Sequence, residues 1–316
     1  MRFKKLGRTG LNVSEISLGT WGIGGSGWDE STEEDSLNAI AAMLDYGVNF
    51  FDTAPAYNAG VAEQIIGKAV KQERDKIVLL TKVGTAFVNG AYVRDNSKKM
   101  VFEQCEQSLR NLQTDYIDVY MIHWPDANTP IEETMEALSK LKEQKKIRYI
   151  GVSNFSVEQI NQAEEFGDID VVQCQYSMVN RKAEPLARWA AENGKGVMTY
   201  GSLGAGILTG SYRTLPTFDP SDNRSRFYQH FKEPMFSKVM ELLKTLDTIS
   251  AEHGNIALSQ SALNWNTQKP FISSSICGVQ FPRHAAENCD CMNWRLSDSE
   301  IARIDSAILA TLGNDE

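Results

Sequence analysis

The chain has 316 residues, of which 42% are hydrophobic and 23% charged, and its formal net charge is −9. That balance describes a globular protein with enough apolar mass for a large core, and its acidity gives no electrostatic reason to expect nucleic acid or an anionic membrane as partner. No run of about 18 apolar residues occurs, so no segment is expected to span a bilayer.

At the start, Met1-Arg2-Phe3-Lys4-Lys5 reaches Gly7 without the apolar stretch of a secretory leader. Residues 3–13 hold two short extended pieces around Gly7-Arg8-Thr9-Gly10 and read as a hairpin. Strand and helix then alternate. A strand at 13–18 precedes a helix at 31–46, in which Ser31 and Glu34 form a capping box. A strand at 48–52 precedes a helix at 61–70, and a strand at 77–82 precedes a helix at 97–112. The strand at 117–122 (I-D-V-Y-M-I) leads to a helix at 131–144, and the strand at 147–152 to a helix at 156–166 capped by Ser156 and Gln159. A strand at 171–175 is followed by a helix at 185–192 that opens with proline. After a strand at 196–200 comes a long irregular segment, 201–234. Helices at 235–253 and 256–266, a strand at 271–276, and helices at 282–289 and 298–309 complete the chain.

Eight short apolar strands, nearly all followed by a helix and with no linker composition between them, imply a parallel sheet covered by helices. Eight such units in one undivided chain point to the α/β class and a (β/α)8 TIM barrel, with an N-terminal hairpin and a long loop after the seventh strand. A doubly wound sheet is the competing architecture. Gly22-Ile23-Gly24-Gly25-Ser26-Gly27 matches G-x-G-x-x-G, and Asp52 lies at the end of the second strand where a ribose-binding acid would sit. Two features count against it: Trp28-Asp29-Glu30 separate the third glycine from the helix, and the units outnumber what such a domain needs. The glycines read instead as a loop beside a site.

In a barrel the C-terminal strand ends face one mouth, where catalysis is built. The second strand ends at Asp52 with Tyr57 in the loop beyond it, the third ends at Lys82, and the fourth runs into His123-Trp124. A carboxylate, a phenol, an ammonium and an imidazole are thereby delivered to one place. A nearby Lys⁺ is expected to lower the pKa of the phenol, while the carboxylate keeps the lysine charged. The imidazole offers a second hydrogen bond to the same substrate oxygen. Such a set suits protonation of a carbonyl oxygen as the carbon accepts hydride. The electron pair must then come from a cofactor, because no nucleophile stands beside His123. Cys289-Asp290-Cys291 with nearby His284 is an incomplete ligand set with no usual zinc spacing, so no metal is expected. The five scattered cysteines suit reduced thiols in the cytoplasm.

These residues carry a resemblance. The opening L-G-R-T-G-L-N-V-S-E-I-S-L-G-T-W, F-D-T-A-P-A-Y with Asp52 and Tyr57, T-K-V with Lys82, I-H-W with His123, and G-V-S-N-F at 151–155 make the chain similar to the aldo-keto reductases. The resemblance covers nearly the whole length and implies one barrel domain over residues 1–316, an NAD(P)H-dependent oxidoreductase, and a small-molecule aldehyde or ketone as substrate. It implies that Tyr57 is the general acid, that Lys82 and Asp52 tune it, and that His123 orients the carbonyl. The nucleotide would lie across the barrel mouth. Ser153, Asn154 and Gln175 would hold the carboxamide and Tyr200 would stack on the nicotinamide, with Thr20, Trp21 and Asp52 on its substrate side. Gly201, Ser202, Leu203 and Gly206 would wrap the pyrophosphate through backbone N–H groups.

The adenosine end departs from the family's pattern. Gly278, Gln280, Arg283, Glu287 and Asn288 fall in the segment whose basic residues bind a 2′-phosphate. Gln280 stands where related enzymes often carry arginine or lysine, and His284 where arginine or glutamine is usual, which leaves Arg283 as the nearby cation. NADPH is the favoured cofactor, with NADH as the alternative. Trp21, Tyr57, His123 and Trp124, joined by Phe87 and Tyr92, are expected to wall the substrate pocket, and the 201–234 segment to fold over it. A sugar- or polyol-derived carbonyl is one candidate substrate. The competing function is a cofactor-binding regulatory protein like the potassium-channel β subunits. The sequence offers no added inactivating segment ahead of the hairpin, and leaves the oligomeric state open.

Overall fold

The computed structural model describes residues 1–25, 27–88 and 91–314, the side chains of residues 87 and 88 excepted. Phe3–Lys5 (β1) and Asn12–Ser14 (β2) form the antiparallel N-terminal hairpin. The barrel begins with Ile16–Gly19 (β3), Phe50–Asp52 (β4) and Val78–Val83 (β5). A second antiparallel hairpin, Thr85–Val88 (β6) and Ala91–Arg94 (β7), then rises from the mouth. Ile117–Ile122 (β8), Ile147–Ser153 (β9), Val171–Gln175 (β10), Gly196–Tyr200 (β11) and Ser274–Gly278 (β12) complete the ring. The eight barrel strands are all parallel and close in the order β3-β4-β5-β8-β9-β10-β11-β12.

Strands covered on both faces read as unbroken apolar runs, and β8 is buried at every position. Inside the barrel, Phe50, Leu80, Val119, Met121, Val171, Met198 and Ile276 form one cluster, and Leu6 and Val13 of the hairpin join it from below. The hairpin thus plugs the floor. Its approach needs glycine: Gly7 has φ +51°, and a Cβ there would lie 2.2 Å from the backbone nitrogen of Gly196. Between sheet and helices lie two further apolar clusters, and all five cysteines are buried and unpaired. Among the described residues, no helix is long and apolar enough to cross a membrane.

Several expected boundaries shift for identifiable reasons. The strand expected at 13–18 divides at Glu15, whose buried carboxylate takes the Arg2 Nε at 3.1 Å. The first helix, Glu33–Asp45, is capped by Thr32 with Asp35 and not by Ser31 with Glu34. Both frames fit the same capping pattern, but Thr32 Oγ1 accepts from the Asp35 N–H at 3.1 Å while the Ser31 hydroxyl is buried without a partner among the described residues. The Ser156–Gln159 box forms as expected. The last strand was expected at 271–276 on hydrophobicity, yet Phe271 and Ile272 belong to the outer core. The pairing strand is instead the serine run of β12, whose hydroxyls are satisfied by Ser14 O (2.7 Å) and Asn266 Oδ1 (2.8 Å). The segment 201–234 is not structureless. It contains 3-10 turns at Gly204–Thr209 and Gln229–Phe231 and a short helix at Asn223–Phe227, organised around the edge-packed rings of Tyr212, Phe218 and Phe231.

Candidate active site

A cavity of about 730 Å³ opens at the C-terminal ends of the barrel strands. Asp52 closes β4, Lys82 is the penultimate residue of β5, and His123 directly follows β8. In register Asp52 faces Leu80 and Lys82 faces Met121, so each neighbouring strand carries its residue two positions further towards the mouth, and the Lys82 side chain reaches back to Asp52. The Lys82 ammonium is fully buried beneath the cavity floor. Its Nζ donates to both Asp52 oxygens at 2.8 and 2.9 Å, to Thr53 O at 3.0 Å, and to the Tyr57 hydroxyl oxygen at 3.2 Å. A charge this deep is tolerated because every proton has an acceptor and a carboxylate neutralises it.

Tyr57 starts a 3-10 turn and is held from above and beside. Its ring stacks on Trp21 (centroids 6.3 Å apart) and meets the His123 ring edge-on at 5.8 Å. Burial, reinforced by the Asp52 charge, holds the phenol well above its ordinary pKa of 10.0. This corrects the expected direction: the Lys82 contact does not outweigh desolvation and the facing carboxylate, so Tyr57 carries its proton at neutral pH. Burial also lowers the Lys82 pKa, although Asp52 acts the other way. Burial, with the Lys82 and Arg94 charges, keeps His123 well below 6.5, so the imidazole is neutral and has one N–H to donate.

Gln173 was not anticipated. Its side chain lies within the β10 end of the barrel, Nε2 donating to Asp52 Oδ2 at 2.7 Å and Oε1 accepting from Ser153 Oγ at 3.3 Å. It therefore connects Asp52 with the serine expected to hold a carboxamide. Gln175, the residue expected in that role, lines the cavity two positions further on. The glutamine nearer the floor could have been found by counting which strand positions face the barrel interior. Asn154 donates to His123 O at 3.1 Å and accepts from Tyr200 OH at 2.7 Å, which fixes the Tyr200 ring at the rim.

Thr20, Trp21, Ser153, Asn154, Gln175, Tyr200, Gly201, Ser202, Leu203, Gly206, Gly278, Gln280, Glu287 and Asn288 all line the one cavity with Asp52, Tyr57, His123 and Trp124. Arg283 does not. It is exposed, with its guanidinium 4.5 Å over the Phe281 ring. Gln280 turns its amide into the protein, donating to Gly22 O at 3.2 Å and Asp29 O at 2.6 Å. Gly206, at φ +95°, keeps the backbone of the 204–209 turn open towards the cavity, as a pyrophosphate cradle requires. Cys289, Cys291 and His284 do not share a site: Cys289 Sγ lies 3.6 Å from Met43 Sδ in the core, whereas His284 stands at the cavity rim.

The segment after β11 and the glycine loop after β3 meet over the opening. Arg224, almost fully buried, bonds Asp29 at 2.7 Å and Asp222 at 2.9 Å, and the Asn223 N–H donates to Gly27 O at 3.0 Å. On the other side Trp21, Trp28, Tyr92, Trp124 and Phe227 wall the space above Tyr57. The Phe87 side chain lies outside the described residues.

Comparison with known proteins agrees with this geometry. The model of the Aldo/keto reductase family matches residues 15–309. Aldo-keto reductase YhdN of Bacillus subtilis (strain 168) is 34% identical over 99% of this chain and 96% of its own length. The NADH-specific methylglyoxal reductase of Escherichia coli (strain K12) is 32% identical over 93% of this chain and 94% of its own. The glycerol dehydrogenase AKR11B4 from Gluconobacter oxydans superposes with a TM-score of 0.88 at 31% identity, covering 97% of this chain and 94% of that one. A closed parallel barrel, a buried Asp–Lys pair beneath a tyrosine at its mouth, and full-length matches of this kind lead to one conclusion: this chain belongs to the aldo/keto reductase family and is an NAD(P)H-dependent oxidoreductase.

Proposed function

We propose that the chain reduces an aldehyde or ketone to the alcohol, with Tyr57 as the general acid. The observation that carries this reading is the Lys82 ammonium, bonded at once to both Asp52 oxygens and to the Tyr57 hydroxyl under the cavity floor. Bound nicotinamide supplies the hydride. The protein supplies the proton and the place for the developing negative charge. A carbonyl oxygen over Tyr57 takes the phenolic proton, and the phenolate left behind faces the Lys82 charge, which Asp52 keeps in position. Neutral His123 donates a second hydrogen bond to the same oxygen. An imidazolium there would add a competing acid; burial removes it.

The cavity fits a dinucleotide. Ser153, Asn154 and Gln173 gather amide and hydroxyl groups at one end, the Gly201–Gly206 backbone lies along the middle, and Glu287 and Asn288 stand at the other end. NADPH is the favoured form and NADH the second. The five unpaired thiols support a reducing compartment, the cytoplasm.

Tyr57→Phe keeps the ring and removes the proton. Its kcat for a panel of aldehydes and keto sugars is expected to fall about 10²–10⁴-fold, while fluorescence titration shows nearly unchanged NADPH affinity. Near-normal turnover by this variant would sink the assignment. Cofactor binding by the wild type without turnover of any carbonyl would instead favour the channel-β-like regulatory reading.

A further inference from the structure

The substrate half of the cavity holds a charge that no described neighbour neutralises. Arg94 ends β7, pairs in register with Thr85, and lines the cavity. Its guanidinium carbon lies 4.8 Å over the Trp124 ring, next to His123 in the chain. The ring contact uses none of the guanidinium's N–H groups as a hydrogen-bond donor to a described oxygen or nitrogen, so they remain available.

Other charged side chains of the cavity wall are engaged or distant. Asp52 is paired with Lys82, Arg224 with Asp29 and Asp222, and Glu287 stands beside Asn288 at the opposite end. The acid next in the chain, Asp95, and Asp126, which accepts from the Asn96 N–H, are both engaged in other bonds. Asp95 accepts from the Ser97 N–H at 2.9 Å, and Asp126 accepts from Asn96, Asn128 and Thr129. Arg94 is exposed at the cavity rim and has no acid partner among the described residues, so water now occupies the place an anionic group could take. Two further hydrogen-bonding atoms of the cavity wall, Thr85 Oγ1 and Trp28 Nε1, are buried without partners among the described residues.

We propose that Arg94 sets substrate specificity by holding a carboxylate on the carbonyl compound while its reacting oxygen sits at Tyr57 and His123. The inference rests on the reductase reading above and names its substrate class. One planar guanidinium edge matches one carboxylate bidentately, whereas a phosphate dianion would need a second cation. Trp21 and Trp124 cover the carbons between the two ends of the substrate.

A matched pair, 4-oxobutanoate and butanal, isolates the charge. With NADPH, the wild type is expected to favour 4-oxobutanoate in kcat/KM by about tenfold or more, and added salt to shrink that ratio. Arg94→Gln should lose at least about tenfold more on 4-oxobutanoate than on butanal, chiefly in KM, and Arg94→Lys should recover part of it. Equal efficiency of the two aldehydes in the wild type, or equal losses in Arg94→Gln, overturns the assignment. Turnover of neither aldehyde counts against the reductase reading instead. Titration of butanoate into NADP⁺-loaded protein, followed by tryptophan fluorescence, then judges Arg94 alone. Binding about tenfold weaker in Arg94→Gln supports the site, and identical binding by the two proteins overturns it.

Discussion

At the scale of single residues, what can be read from sequence depends on whether a side chain acts through its position or its surroundings. The convergence of Asp52, Lys82 and His123 was legible because they stand at or just beside the ends of apolar runs, with Tyr57 in the loop after Asp52, and barrels place those ends together. Gln173 and Arg94 were not, because their meaning lies in partners far along the chain or in the lack of them. The direction of the Tyr57 pKa was misread for the same reason: a list of neighbours does not weigh burial against charge. At the proposed adenosine end a single residue is expected to matter. Gln280 spends its amide on Gly22 O and Asp29 O, and Arg283 lies over Phe281 outside the cavity. Gln280→Arg is therefore expected to lower the KM for NADPH by about tenfold, the worth of one charge-assisted hydrogen bond, with little change for NADH. Steady-state titration of both cofactors in both proteins checks this. Equal shifts for the two would show that residue 280 does not face the phosphate.

Elements were legible where hydrophobic period and turn chemistry agreed, as in β8, β10, β11 and the Ser156-capped helix. They were misplaced where tertiary partners replaced the local signal, as in the serine-rich β12. The β6–β7 hairpin was read only as a loop. Its second strand is exposed at every position and carries no core-facing stripe. The N-terminal hairpin was recognised from its glycines, but its task as the barrel floor was not. Because Gly7 has φ +51° and backbone of Lys195 and Gly196 within 2.4 Å of any Cβ, Gly7→Ala must move the hairpin or strain it. The expected cost is about 2–3 kcal/mol, seen as a lower urea midpoint with unchanged slope. A loss below about 0.5 kcal/mol would mean that the floor yields easily.

For the whole molecule, the count of strand–helix units was enough to specify a closed barrel, since eight parallel units in one chain have few other solutions. The closure over the mouth was not readable, because Asp29 and Arg224 lie far apart in sequence and meet only once the ring has closed. Behind that closure, His230 is buried with Nε2 2.8 Å from Gly204 O, and burial pushes its imidazole from 6.5 down to about 4. The folded chain keeps this histidine neutral while the unfolded chain protonates it below 6.5. Its contribution is thus complete above that value and is lost as pH falls, by about 2 kcal/mol at pH 5. His123 acts in the same direction. Urea midpoints measured at neutral pH and near pH 5 should fall less in His230→Gln than in the wild type, and an equal fall would place the acid sensitivity elsewhere.

The five unpaired cysteines turn the same architecture into a clock. They sit in the helical layer, in β10 and β12, and in the turn that follows the helix Pro282–Cys289, and burial raises every one of their thiol pKa values. A thiol-modifying reagent therefore reads the frequency with which each sector breathes, with no engineered label needed. Cys277 lines the cavity at the barrel mouth whereas Cys105 lies on the opposite side of the ring, so comparing the two separates local loosening at the mouth from rupture of the barrel as a whole.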